Sequence, residues 1–150
     1  MHYRLELRPR TPTPPPHLYQ PRAGAADDVR AGRVDDAVLT ALLELARTHI
    51  LDIAVLSDGH PQNDFGTERQ SNHTRGRAVD IRRVDDRLVA DPATPRDLLA
   101  GFMVAAGALG ATEVGGPWDH NDERSGYFTD QVHRDHLELG FSPGQPPATP

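Results

Sequence analysis

The chain has 150 residues, 37% of them hydrophobic, which fits one domain built around one core. Its formal net charge of −6 argues against a nucleic-acid footprint, which wants a basic face, and the lack of cysteine excludes disulfides and thiolate metal sites. Any metal must be held by His and carboxylates, and no run approaches the roughly 20 apolar residues of a membrane-spanning helix.

Residues 2–8 alternate, with Tyr3, Leu5 and Leu7 on one side and Arg4, Glu6 and Arg8 on the other. That pattern predicts a half-buried strand or an arm that adds to a sheet edge. The same segment lacks the apolar core of a secretory signal. Pro9 to Pro16 holds five prolines and favours extended polyproline, as a linker or as a docking arm for a larger assembly. Residues 17–32 show no clear period. The expected organisation is an arm at 1–8, a Pro-rich linker at 9–33, a folded domain at 34–141 and a disordered tail at 142–150.

From Val34 the pattern turns helical. Val38, Leu39, Leu42, Leu43, Leu45 and Ala46 recur at helical spacing, with acidic Asp35 and Asp36 at the start and Arg47 near the end, which suits the macrodipole. A helix is expected over about 34–48, with His49 as a residue of its C-terminal end. Ile50–Ser57 is a short apolar run between turn formers and reads as a central strand. A polar loop then runs to Asn72, and His60 within it reads as a surface-turn residue or as a contact to substrate.

The segment Ser71 to Ile81 begins as a polar turn and ends as an alternating β-branched run, so a loop feeds a strand over Arg77–Val84. His73 sits at its mouth and Asp80 seven positions on, and Gly76 lets the chain fold back so that both can reach one ion. Alternation sets Asp80 opposite Val79 and Ile81, so it faces a groove if those two face the core. A salt bridge from Asp80 to a neighbouring Arg is the plainer reading of that carboxylate. Leu88–Ala90 continues as a hairpin. Thr94-Pro95-Arg96-Asp97 opens a second helix, Thr94 capping, Pro95 in the first turn and Asp97 at N3. Leu98, Leu99, Phe102, Met103 and Ala106 form its buried stripe, and it ends near Gly107 or Gly110. Ala111–Val114 is a short strand. Trp118, Tyr127 and Phe128 either wall a groove or cap the core. His133–Phe141 is the last strand, with His136, Glu138 and Gly140 alternating against Leu137, Leu139 and Phe141.

Ser71, His73, Gly76, Arg77, Ala78 and Asp80 together resemble the first zinc motif of the D-Ala-D-Ala carboxypeptidase and endopeptidase group, whose fold is shared with the hedgehog signalling domain. The stretch His133 to Phe141 is similar to the group's second motif, Asp-His-x-His followed by a Gly-aromatic strand end. The resemblance covers roughly residues 35–141. It implies an α+β fold: a small, mostly antiparallel sheet with helices on one face and a metal groove on the other. It implies zinc held by His73, Asp80 and residue 138, with Asp135 as general base and His136 stabilising the transition state. Position 138 is Glu where the group has His, so the ion's net charge would fall from +1 to neutral. Its water would be less acidic, and preference would shift toward another divalent cation such as manganese or calcium. A different register makes His133 the base and His136 the ligand.

The resemblance implies a peptidoglycan peptide hydrolase acting on stem peptides, with neither nucleic acid nor membrane as partner. Without a secretory signal, such an enzyme is expected to be made in the cytoplasm and delivered to the wall by a phage or injection particle. The alternatives are an inactive binding or structural module of such an assembly, and a small assembly protein whose His and Asp residues are ordinary surface groups.

Overall fold

The computed structural model describes residues 5–7, 24–118 and 126–143, the first three by their backbone path. In chain order the elements are β1 (Leu5–Leu7), α1 (Ala25–Arg30), α2 (Asp36–Leu45), β2 (Leu51–Val55), a 3₁₀ turn (Asn72–Arg75), β3 (Ala78–Val84), β4 (Arg87–Leu88), α3 (Arg96–Ala108), β5 (Glu113–Gly115), β6 (Tyr127–Phe128) and β7 (Leu137–Gly140). The strands form one sheet in the order β1-β2-β3-β7-β5-β6, with β4 paired to β3. Pairing is parallel at β1–β2 and β5–β6 and antiparallel elsewhere. The fold is therefore α+β with a mostly antiparallel sheet.

The centre of the sheet is the pair β3 and β7, whose register sets Val79 opposite Leu139, Asp80 opposite Glu138 and Ile81 opposite Leu137. Period-two alternation then divides the pair into two faces. Val79, Ile81, Leu137 and Leu139 are fully buried and join Val38, Leu42, Leu45, Leu99, Phe102 and Met103 of the helices in one core cluster. Burying each such side chain contributes about 1.5–3 kcal/mol, so this face dominates the fold's stability. Asp80 and Glu138 point the other way, side by side on neighbouring strands.

Several element ends differ from expectation, each for a local reason. The helix expected over 34–48 is α2, whose N-cap is Asp35, its carboxylate accepting from Ala37 N at 2.9 Å. His49 lies beyond its end, where Nδ1 meets Asp85 Oδ2 at 2.9 Å, well away from Asp80 in sequence and role. Thr94 does not cap α3. Its hydroxyl donates to Leu88 O at 2.6 Å, so the N-cap is Pro95, without a side-chain bond. The last strand is shorter than expected, and residues 133–136 approach it as a series of bends.

The stretch 24–33, read as the end of a linker, carries α1. Ala25 belongs to the core, and the buried Asp28 accepts from Ser57 N at 2.9 Å, Asp58 N at 3.0 Å and Arg33 Nε at 2.8 Å. Its sequence gave little sign, being six residues with two apolar positions inside. The prolines at 9–16 and the tail at 144–150 lie outside the described residues. Trp118 and Tyr127 pack against the core, and Tyr127 and Phe128 also line a cleft, so both roles foreseen for these aromatics are filled. Among the described residues no helix is long and apolar enough to cross a membrane.

Candidate metal centre

His73 is carried by the 3₁₀ turn. Ser71 Oγ accepts from His73 N at 3.2 Å and opens it, and Gly76 closes it in the left-handed conformation at φ 68°. A side chain at Gly76 would also collide with the Arg33 carbonyl, so only glycine fits this corner. The following strand then runs straight back, and Asp80, three residues into β3, comes within 3.0 Å of His73 Nε2.

His73 and Asp80 are 0% and 1% exposed. His73 Nδ1 faces the Leu56 carbonyl at 2.5 Å, and a carbonyl only accepts, so this nitrogen carries the hydrogen. Nε2 is thereby left to face Asp80. His136 is built in the same way. Its Nδ1 donates to Asp135 at 2.7 Å and its Nε2 lies 3.5 Å from the same Asp80 oxygen. Anchoring the outer nitrogen on an oxygen acceptor is how metal-ligating imidazoles are oriented.

Three further groups complete the cluster. His60 stacks on His73 with ring centroids 4.1 Å apart and planes 13° apart, and its Nδ1 donates to Pro61 O at 2.8 Å. Glu138 Oε1 lies 3.9 Å from His73 Nε2, and Glu138 Oε2 pairs with His133 Nε2. His133 is steadied by Asp130, which accepts from its Nδ1 at 2.7 Å. His60, His133 and Glu138 line a cleft of about 840 Å³ together with Asp64, Phe65 and Arg69 of the 57–71 loop. The buried pair lies behind the wall of that cleft.

Charge is tightly coupled here. Burial pushes His73 down, but the charge and hydrogen bond of Asp80, with Glu138 behind it, lift its pKa to about 9. His133 is likewise pushed down by burial and lifted further by Glu138 and Asp130, to about 9. Burial raises the Asp80 carboxyl, yet the facing imidazoles His73 and His136 outweigh it and hold the group far below the usual carboxylate range. His136 is also raised, mainly by Asp80 and Asp135 against its burial. His60 goes the opposite way, lowered by burial and by the charge of His73. Three of the four imidazoles, His73, His133 and His136, are thus drawn toward the protonated form by the carboxylates they face, and His60 is not.

His60, His73 and Asp80 each present one ligand atom within 4.8 Å of the others, a group that could hold a metal ion. Of the residues singled out from sequence, the fold brings His73, Asp80, His136 and Glu138 together, with Asp135 behind His136. By sequence His60 reads as a surface-turn residue or a substrate contact. Only the path of the 57–71 loop brings it over His73, and no spacing rule links 60 to 73. Asp135 is exposed and turned to His136 Nδ1, the side of the ring away from Asp80. Comparison with protein-family models, curated proteins and solved structures finds no match to this chain.

Proposed function

We propose that this protein is a metal-dependent hydrolase, with zinc as the favoured ion and the stem peptides of peptidoglycan as the substrate class. The observation that carries the reading is that two imidazoles, His73 and His136, each anchored through Nδ1, aim Nε2 at one buried carboxylate beside an open cleft. The likeness of the two sequence motifs to the D-Ala-D-Ala carboxypeptidase group supplies the peptide substrate.

The donor chemistry fits a divalent ion, since imidazole nitrogen and carboxylate oxygen are the ligands zinc takes in proteins without cysteine. His73 and Asp80 are the core of the set in every reading. For the third donor we favour His136 over Glu138 and His60. Two near-parallel rings 4.1 Å apart cannot bring their in-plane lone pairs to one point, so His60 would have to turn to join His73 on an ion. Glu138 is engaged with His133, whereas His136 already aims an anchored nitrogen at Asp80. Two imidazoles and one carboxylate leave a zinc ion with a net charge of +1, and Glu138 then no longer needs to be a ligand.

A bound ion supplies Lewis-acid polarisation of a carbonyl and lowers the pKa of water, as it does in zinc hydrolases generally. The chain's own residues supply the rest. Asp130 fixes the His133 ring, which beside Glu138 holds a proton at the cleft wall around neutral pH, ready to be passed to a leaving amine. Asp135 keeps His136 in one tautomer. The Phe65 and Phe128 side offers apolar surface for a peptide.

The test is elemental analysis of protein purified without added metal, for wild type and for His73→Ala, His136→Ala, Glu138→Ala and His60→Ala. It is paired with hydrolysis of D-Ala-terminated and cross-linked wall peptides. About one ion per chain in wild type, lost in His73→Ala and His136→Ala and kept in the other two, is the expected result. Loss in Glu138→Ala with retention in His136→Ala would move the third ligand to Glu138. Bound metal with no hydrolysis of either peptide would leave a binding module in place of the enzyme.

A further inference from the structure

Glu113 has no part in the chemistry above, yet its carboxylate joins two pieces of the site. Its Oε2 accepts from Asn72 Nδ2 at 2.8 Å, and its Oε1 pairs with Arg69 Nη2. Asn72 is buried in the 3₁₀ turn immediately before His73, and its carbonyl accepts from Arg77 N at 2.8 Å. Arg69 belongs to the 57–71 loop that lines the cleft, and its Nε lies 3.4 Å from Asp64 in the same wall. One side chain on β5 therefore fastens both the turn that carries His73 and the wall that faces the cleft.

Gly140 of β7 lies directly under this bridge, in register with Glu113 on one side and Ala78 on the other. A Cβ at Gly140 would stand 2.8 Å from Glu113 Oε2 and 3.2 Å from Asn72 Nδ2. Its φ is not among the positive ones, so the backbone does not demand glycine here. Space demands it.

We infer that Glu113 is a positioning residue for the metal centre, aiming His73 through Asn72 and holding the cleft wall through Arg69, and that Gly140 is small so that this bridge can cross the strand. The inference rests on the metal reading of the site.

Zinc affinity, measured on the full chain by competition with a chromophoric chelator, separates the two. The visible spectrum of the cobalt-loaded protein serves as a second readout of ligand geometry. Glu113→Ala and Gly140→Ala are expected to weaken zinc binding about 10–100-fold and to shift the cobalt bands. In Gly140→Ala the Glu113 side chain gives way more easily than backbone does, so the fold survives while the bridge breaks. Glu113→Gln can still accept from Asn72 and should keep near-wild-type affinity, and so should Arg69→Gln, which releases only the cleft wall. A wild type that binds no zinc overturns the metal reading itself. Zinc bound normally by wild type, Glu113→Ala and Gly140→Ala alike overturns the positioning role while leaving the metal centre standing. An equal loss in Arg69→Gln would overturn the assignment of the His73 turn to Asn72.

Discussion

Asp28 and Asp80 are both 1% exposed, and they are buried for opposite reasons. Asp28 accepts from two backbone amides and from Arg33, donors that stay put and stay charged or polar at any ordinary pH. Asp80 faces the Nε2 atoms of His73 and His136, imidazoles that can hold either a proton or a metal ion there. The first carboxylate ties α1 to the end of β2 and is satisfied by the fold alone. The second is held against two imidazoles, whose protons a metal ion can replace. A buried carboxylate among imidazoles is expensive for a merely structural purpose, which is why the Asp80 cluster is the candidate site and Asp28 is not.

The sharpest test of that contrast is chemical. If Glu138 and His133 handle the proton at the cleft, Glu138→Gln should lower peptide hydrolysis by about 10²–10⁴-fold while the ion stays bound. Assay of wall-peptide cleavage with zinc present reads this directly. A Glu138→Gln protein that loses its ion instead would make Glu138 a ligand.

Next in size is the difference in metal-free stability between the two aspartates. Asp28→Asn puts an amide N–H among donors and leaves at least one of them unpaired, at a cost of about 3 kcal/mol in denaturant unfolding. Above pH 9, where His73 is already neutral, Asp80→Asn should cost under about 1 kcal/mol in the metal-free protein, because the neutral ring can accept from the new amide, and it should abolish stoichiometric metal. Asp28→Asn should keep its ion. Equal destabilisation by the two substitutions, with metal unaffected, would reduce the Asp80 cluster to a structural network.

A third test is the pH dependence. His73 and His133 have folded pKa values of about 9, raised from the 6.5 of a free imidazole. Raised values mean that the metal-free protein gains stability from these protonated rings below pH 6.5 and loses it as pH climbs through 9. Metal binding goes the other way, since a proton must leave each ligand imidazole and affinity rises over the same range. The gap in melting temperature between zinc-loaded and metal-free protein should therefore widen steadily from pH 6.5 to 9. His133 is not a ligand and contributes alike to both forms, so a constant gap would mean that the ion does not replace the His73 proton.

What the sequence determined by itself was the alternation of one strand and the pairing of residues seven apart. Val79 and Ile81 against Asp80, and Leu137 and Leu139 against Glu138, follow from the period of two, and a turn ending in Gly76 returns His73 onto Asp80. These are short-range relations, fixed by backbone geometry within a dozen residues. The same holds for the core stripes of α2 and α3. Tertiary structure alone decided the rest. α1 is too short and too weakly patterned to be seen, and it is held by Asp28 reaching 29 residues ahead to Ser57. The Thr94 hydroxyl donates to Leu88 O instead of accepting from an N–H of its own helix. The stacking of His60 on His73, the pairing of His133 with Glu138 in place of a continuous strand, and the passage of Glu113 over Gly140 to Asn72 all depend on where loops return after the sheet has formed. No local period encodes such a return, because the free energy that selects it comes from groups that meet only once the chain between them has been closed.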